Sequence, residues 1–235
     1  MNYFYLKIFG LVLFIIAVSY WNTYCSSFIE SFSLNSSNKN ININGNNDKT
    51  VVLLGDSILK NNSYVPHGKG VDNILEERNA KVVSLAENNS KIVDVYGQIN
   101  RIPLELDSKS SFIFLSSGGN DILSFDVDQN GDVTDKGFLN TMLTAYKKMV
   151  KSIQTRMNKC QIVLLDIYYP TSNQFAQYRP IIEEWNTLIA NYARENSLGL
   201  LQISQSVTSS EDFTLGIEPS EKGGAKIVQL ILDYN

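Results

Sequence analysis

Five short apolar runs punctuate the second part of the chain: VVLLG at 51–55, KVVSLA at 81–86, FIFLSSG at 112–118, QIVLLDI at 161–167 and LGLLQI at 198–203. Their Val, Ile and Leu residues are continuous rather than alternating, the pattern of strands covered on both faces. Between them the period changes. In 138–158, Leu139, Met142, Leu143, Tyr146, Met149, Val150, Ile153 and Met157 recur every three or four positions, while Lys147, Lys148, Lys151 and Arg156 fall on the opposite side, which predicts an amphipathic helix. Pro180 suits a first helical turn and is followed at the same spacing by Ile181, Ile182, Trp185, Leu188, Ile189 and Tyr192. A last helix is expected from about Lys222 to Leu232.

Strand and helix in alternation with short connections imply an α/β fold, a five-stranded, mostly parallel sheet between two helical layers. In such three-layer α/β/α sandwiches ligands sit at the carboxyl ends of the strands. The polar residues just after each strand therefore carry the functional information.

The front of the chain has another pattern. Ile8 to Trp21 is uncharged with Lys7 before it, and Tyr3 to Tyr24 reaches the length a bilayer requires. Residues 1–24 read either as a membrane anchor, with Tyr20 and Trp21 at the interface, or as a cleaved signal peptide with Ala17 and Ser19 as its small pair. Both readings place the remainder across or beyond the membrane, anchored on the luminal or extracellular side or secreted. Residues 25–49 form an Asn/Ser-rich linker, with seven asparagines in positions 35–47. Residues 50–235 remain as one domain. Sequons at Asn35, Asn61 and Asn88 are modifiable only in a glycosylating lumen.

Of the 235 residues, 20 are Lys or Arg and 24 Asp or Glu, a net charge of −4 with no basic stripe, so nucleic acid is not an expected partner. Two cysteines, Cys25 and Cys160, provide neither a disulfide framework nor a Cys-rich zinc site. A single histidine, His67, rules out any site needing two imidazoles. No cofactor and no metal is expected. Asp126, Asp128, Asn130, Gly131 and Asp132 match the first half of a calcium loop, but Gly137 stands where a bidentate glutamate is required, so a solvated turn is the competing reading.

After the first strand comes Gly55-Asp56-Ser57, a hydroxyl at a tight strand-to-helix turn. It is either a nucleophile or the N-cap of a first helix. Asp56 is placed to tie the turn to backbone amides. After the third strand, Gly118-Gly119 turn the chain sharply before Asn120 and Asp121. Asn120 is either an oxyanion donor or a turn residue, and Asp121 is expected to cap the segment after it.

These segments, with Ile217-Glu218-Pro219-Ser220 before the last helix, resemble the SGNH (GDSL-type) esterase and lipase superfamily across most of residues 50–235. GDS matches its first block, GGND its third, and IEPSEKGGAKI looks like the fifth, usually D-x-x-H-P. The resemblance implies a flavodoxin-like fold and a small-molecule ester substrate, an acyl or acetyl ester of a lipid or carbohydrate. It also implies an acyl-enzyme on Ser57, with an oxyanion site made by the backbone amides of Ser57 and Asn89 and the side chain of Asn120.

Two positions depart from the pattern. Asn89 occupies the place of a glycine in the second block, tolerable because only its amide is needed and Asn accepts positive φ. Glu218 falls on the histidine and Leu215 on the aspartate that would orient it. Glu218 is then either the base, directly or through water, or a solvated charge, and a glutamate near its ordinary pKa is a weak base unless burial raises it. His67, in a Pro-Gly loop, is either an alternative base folded over the crevice or simply exposed. Tyr168 or Tyr169 either lines the pocket or packs under the sheet edge. The rival function is an SGNH-fold binding module without turnover, since fold similarity does not certify activity.

Overall fold

A computed structural model describes residues 49–125, 127 and 137–234. Five strands, β1 (Thr50–Gly55), β2 (Lys81–Ser84), β3 (Ser111–Ser116), β4 (Gln161–Leu165) and β5 (Gly199–Leu201), form one sheet in the order β2-β1-β3-β4-β5. Every pairing is parallel. All residues of β1 and β3 are buried, as their unbroken apolar runs require when helices cover both faces. In this order the direction in which successive strands are added to the sheet reverses between β1 and β3. The crevice that such a reversal opens lies at their carboxyl ends, where Ser57 and Asn120 stand.

Among the described residues six α-helices accompany the sheet: α1 (Val71–Glu77), α2 (Val95–Asn100), α3 (Gly119–Ile122), α4 (Phe138–Arg156), α5 (Arg179–Glu195) and α6 (Glu221–Asp233). Helix α1 packs on α6, whereas α2 meets α4 and α3 meets α5. The three long helices lie where their periodicity predicts, with Pro180 in the first turn of α5. Under the sheet Tyr146 of α4 meets Trp185 of α5 edge to face, with centroids 5.4 Å apart, and both side chains are fully buried.

One expectation fails. No helix starts at Ser57, so Ser57 is not an N-cap; residues 57–59 form a turn and the first helix begins fourteen residues later, at Val71. The chain after Ser57 explains this, because Asp56 takes the Ile58 amide and Asn61, Asn62, Ser63, Pro66, Gly68 and Gly70 all disfavour helix. Gly70 has no side chain to cap α1, and the Asn61 Oδ1 accepts the Val71 N–H instead, at 2.9 Å.

A hairpin escaped the periodicity altogether. Strands β6 (Phe213–Thr214) and β7 (Glu218–Pro219) pair antiparallel, with Thr214 opposite Glu218. Leu215 (φ 51°), Gly216 (φ 78°) and Ile217 make the three-residue connection, with positive φ at its first two positions and the Ile217 N–H on the Thr214 carbonyl at 3.2 Å.

The N-terminal segment 1–24, the linker up to Asp48 and the calcium-loop positions Asp126, Asp128, Asn130, Gly131 and Asp132 lie outside the described residues. Among the described residues no helix is long and apolar enough to cross a membrane.

Candidate active site

The turn that carries Ser57 begins at Gly55, whose φ of 115° and closeness to β3 permit no other residue: a Cβ there would lie 1.5 Å from the Ser116 carbonyl oxygen. Asp56 comes next, 2% exposed. Its Oδ1 accepts the Ser116 hydroxyl at 2.6 Å and the Ile58 N–H at 3.1 Å, so it ties down the turn as expected. Burial pushes its carboxyl up to about 7; the two hydrogen bonds oppose the rise, and the nearby charge of Glu218 adds to it.

Ser57 is 8% exposed, and its hydroxyl lies close enough to the Glu218 carboxyl to offset part of a pKa rise caused by burial. The Glu218 Oε2 is buried without a hydrogen-bond partner. Glu218 is thus neither a solvated surface charge nor held by an orienting acid. Leu215, where the family pattern has aspartate, is 74% exposed at the hairpin tip. The backbone on either side is fixed instead: the Tyr168 hydroxyl donates to the Ile217 carbonyl at 2.8 Å, and the Asn61 Nδ2 donates to the Pro219 carbonyl at 3.0 Å.

On the other wall Gly118 (φ 115°) passes where a Cβ would lie within 3 Å of Met142 and Trp185. This brings Asn120 beside Ser57 on the crevice. The Asn120 Nδ2 gives one proton to the Ser90 carbonyl at 3.0 Å, and an amide nitrogen carries two. Asp121 does not cap the segment after it. Its Oδ2 accepts the Ile92 N–H at 3.0 Å, binding the loop that holds Asn89 to the start of α3. Asn89 has the positive φ expected of it, 58°, and its side chain is exposed.

Ser57, Asn120 and Glu218 therefore share one crevice, together with Asp56, Ile122, Ile167, Tyr168, Ile182 and Ile217, around a space of about 40 Å³. Asn89 is not among the residues lining it, and is linked to it through its neighbour Ser90. His67 is exposed and lines no part of the crevice. The loop bearing it does approach Glu218, but through Tyr64, whose phenol is raised by burial and by the Glu218 charge. Tyr168 lines the crevice, whereas Tyr169 lies under the Arg179 guanidinium, 4.5 Å from ring centre to carbon.

Three buried carboxamides that no motif marked support this arrangement. Gln98 holds the backbone of Gly55, Asn186 takes both the N–H and the carbonyl of Ile167 at 2.8 and 2.7 Å, and Asn61 bridges Val71 and Pro219. With no exposed surface and both ends of its amide engaged, Asn61 is no acceptor for sugar in the folded protein. Among the described residues no group of three or more His, Cys, Asp or Glu side chains is placed to hold a metal.

A serine hydroxyl facing a carboxyl across the reversal point of a 2-1-3-4-5 sheet, with an asparagine amide on the neighbouring strand end, defines an α/β hydrolase of the SGNH architecture. The model of the GDSL-like lipase/acylhydrolase family matches residues 53–225, and the chain belongs to that family of ester-hydrolysing enzymes. No protein of curated function matches it. Among solved structures it resembles a lipolytic G-D-S-L family protein from Veillonella parvula (TM-score 0.62, 18% identity, 79% of this chain and 97% of that one). A lipase/acylhydrolase from Enterococcus faecalis (0.56, 16%, 78% and 93%) and an acetyl xylan esterase (0.58, 14%, 78% and 98%) have the same fold.

Proposed function

We propose that the protein is a serine esterase that hydrolyses a carboxylic ester through an acyl-enzyme on Ser57, with Glu218 as the proton carrier. The observation that carries this reading is the Ser57 hydroxyl against a half-buried carboxyl whose pKa burial has raised. A carboxylate at its ordinary pKa would hold the serine proton too weakly, and burial moves it toward the range where a base works best near neutral pH. The Ser57 oxygen attacks the ester carbonyl as its proton passes to Glu218. The amides of Ser57 and Asn89 and the second Asn120 Nδ2 proton stabilise the oxyanion. The ester C–O bond then breaks and Glu218 returns the proton to the departing alcohol. Water attacks the acyl-enzyme in turn, Glu218 taking its proton and restoring it to Ser57 as the acid leaves.

Ile122, Ile167, Ile182 and Ile217 make the walls of the crevice apolar, which suits the acyl side of a lipid or carbohydrate ester. An acetylated carbohydrate is the kind of ester named for the acetyl xylan esterase above. The rival is a crevice that holds an ester without turning it over, and it draws on Leu215 standing in place of an orienting acid. Burst kinetics with p-nitrophenyl acetate separate the two. The esterase reading expects nitrophenol release that Ser57→Ala abolishes, and equal release from parent and variant would refute it.

A further inference from the structure

Gln98 is fully buried on α2, a short helix that otherwise packs through Val95 and Ile99. A neutral amide taken out of water is costly unless its polar atoms find partners, and a leucine or methionine would fill the same space without that cost. All the partners Gln98 finds belong to the reaction site. Strand β2 ends at Ser84, opposite Leu53, and beyond it the Glu87 N–H still reaches the Gly55 carbonyl at 3.0 Å, but nothing in that segment meets the Gly55 N–H. The Gln98 carboxamide completes the pairing at Gly55 beside that bond. Its Oε1 accepts the Gly55 N–H at 2.6 Å and its Nε2 donates to the Gly55 carbonyl at 2.8 Å. The other Nε2 proton goes to the Ser90 hydroxyl at 3.0 Å, and the Ser90 carbonyl accepts Asn120.

These bonds form a single chain from Gly55 through Gln98 and Ser90 to Asn120. Each of the three groups assigned to the oxyanion lies on it or within two residues of it: Ser57 two after Gly55, Asn89 next to Ser90, and Asn120 at its end. The geometry points to Gln98 as the positioning residue that sets the distance between the nucleophile turn and the oxyanion donors. The inference rests on the esterase reading above. Gln98 does not touch the substrate; it acts with the Asp121–Ile92, Asp56–Ser116 and Glu87–Gly55 bonds, and adds the one side chain that joins the Gly55 backbone to Ser90. Displacing a reacting group by as little as 1 Å can cost about a hundredfold in rate, whereas substrate binding in the apolar crevice makes no use of this network.

The test compares Gln98→Met, which keeps the length and burial of the side chain but has no amide, with the parent, using p-nitrophenyl acetate and counting active sites by labelling with a fluorophosphonate. Gln98→Met is expected to lower kcat per labelled site by about ten- to a hundredfold with KM changed less than about threefold, and the double variant with Asn120→Ala should lose little more than Asn120→Ala alone, because coupled residues are not additive. A purely structural role would lower the melting temperature and the number of active sites while leaving kcat per site at the parent value. That result, or losses that multiply in the double variant, overturns the inference. If Gln98→Met does not fold, Gln98→Glu keeps the acceptor for Gly55 N–H, loses both donors, and carries the same expectation. Parent turnover insensitive to Ser57→Ala would refute the esterase reading itself, and the positioning role with it. A Ser57-dependent parent and an unimpaired Gln98→Met refute the positioning role alone.

Discussion

Replacing Glu218 by glutamine perturbs the proposed chemistry and little else. The amide has the shape of the carboxyl, remains able to hydrogen-bond the Ser57 hydroxyl, and leaves the Tyr168 and Asn61 bonds to the flanking carbonyls untouched. It also removes a charge that burial disfavours, so the variant should be no less stable than the parent at pH 8. What it lacks is a proton acceptor, and a positioned general base is worth about 10²–10⁴ in rate, or about 3 to 5 kcal/mol of barrier. In the parent, kcat/KM should rise with pH as Glu218 deprotonates, and that limb lies above the ordinary glutamate range because burial has raised the group. In Glu218→Gln the rate should fall by the stated factor and the limb should vanish. Asp56→Asn is the control, because an asparagine oxygen still accepts from Ser116 and Ile58. Asp56 holds its proton up to about pH 7, and burial rather than an Asp56 charge raises Glu218, so Asp56→Asn should leave the limb in place. Initial rates on p-nitrophenyl acetate between about pH 5 and 9, the span over which a raised carboxyl titrates, suffice. A Glu218→Gln enzyme within threefold of the parent and with the same acid limb would refute the assignment.

Asn120→Ala should lower kcat by about 10²–10³ with little change in KM, the usual loss of one oxyanion donor, and comparable kcat values would exclude the role. Stability should depend on pH through Asp56. Its folded pKa of about 7 exceeds the ordinary 3.8, so the folded state binds more protons between these values and stability falls as pH rises through that window, by at most about 4 kcal/mol. Urea unfolding at several pH values should show this fall, and Asp56→Asn should flatten it. Leu215→Asn should stabilise the protein by about 1 kcal/mol, because Leu215 is exposed at φ 51° and asparagine tolerates that region better than leucine; a lower unfolding midpoint would contradict this.

The strands were legible because a sheet buried on both faces leaves unbroken apolar runs, and β1 and β3 are buried throughout. Ser57 and Asn120 were legible because strand ends in this fold point to one edge, so polar residues after different strands meet; Glu218, on the β6–β7 hairpin rather than after a strand of the sheet, was reached only through the resemblance of its segment to the family's terminal block. The supporting residues were not. Gln98, Asn61 and Asn186 each bind backbone groups from 10 to 158 residues away, and a lone buried amide leaves no periodicity and no motif. The role of Asp121 was hidden for the same reason, its partner Ile92 being 29 residues distant. The absence of a helix after Ser57 was visible in principle, in the density of asparagine, glycine and proline between Asn61 and Gly70. His67, the one imidazole, lies off the crevice, and the proposed proton carrier is therefore Glu218, whose carboxyl burial raises.

Acid-quenching the reaction with p-nitrophenyl acetate during the burst, with peptide mapping by mass spectrometry, addresses the acyl-enzyme itself. One acetyl group is expected on the peptide carrying Ser57, located at the serine, and none in Ser57→Ala. Turnover without an adduct at Ser57, or with the acetyl group on another residue, would contradict the acyl-transfer mechanism.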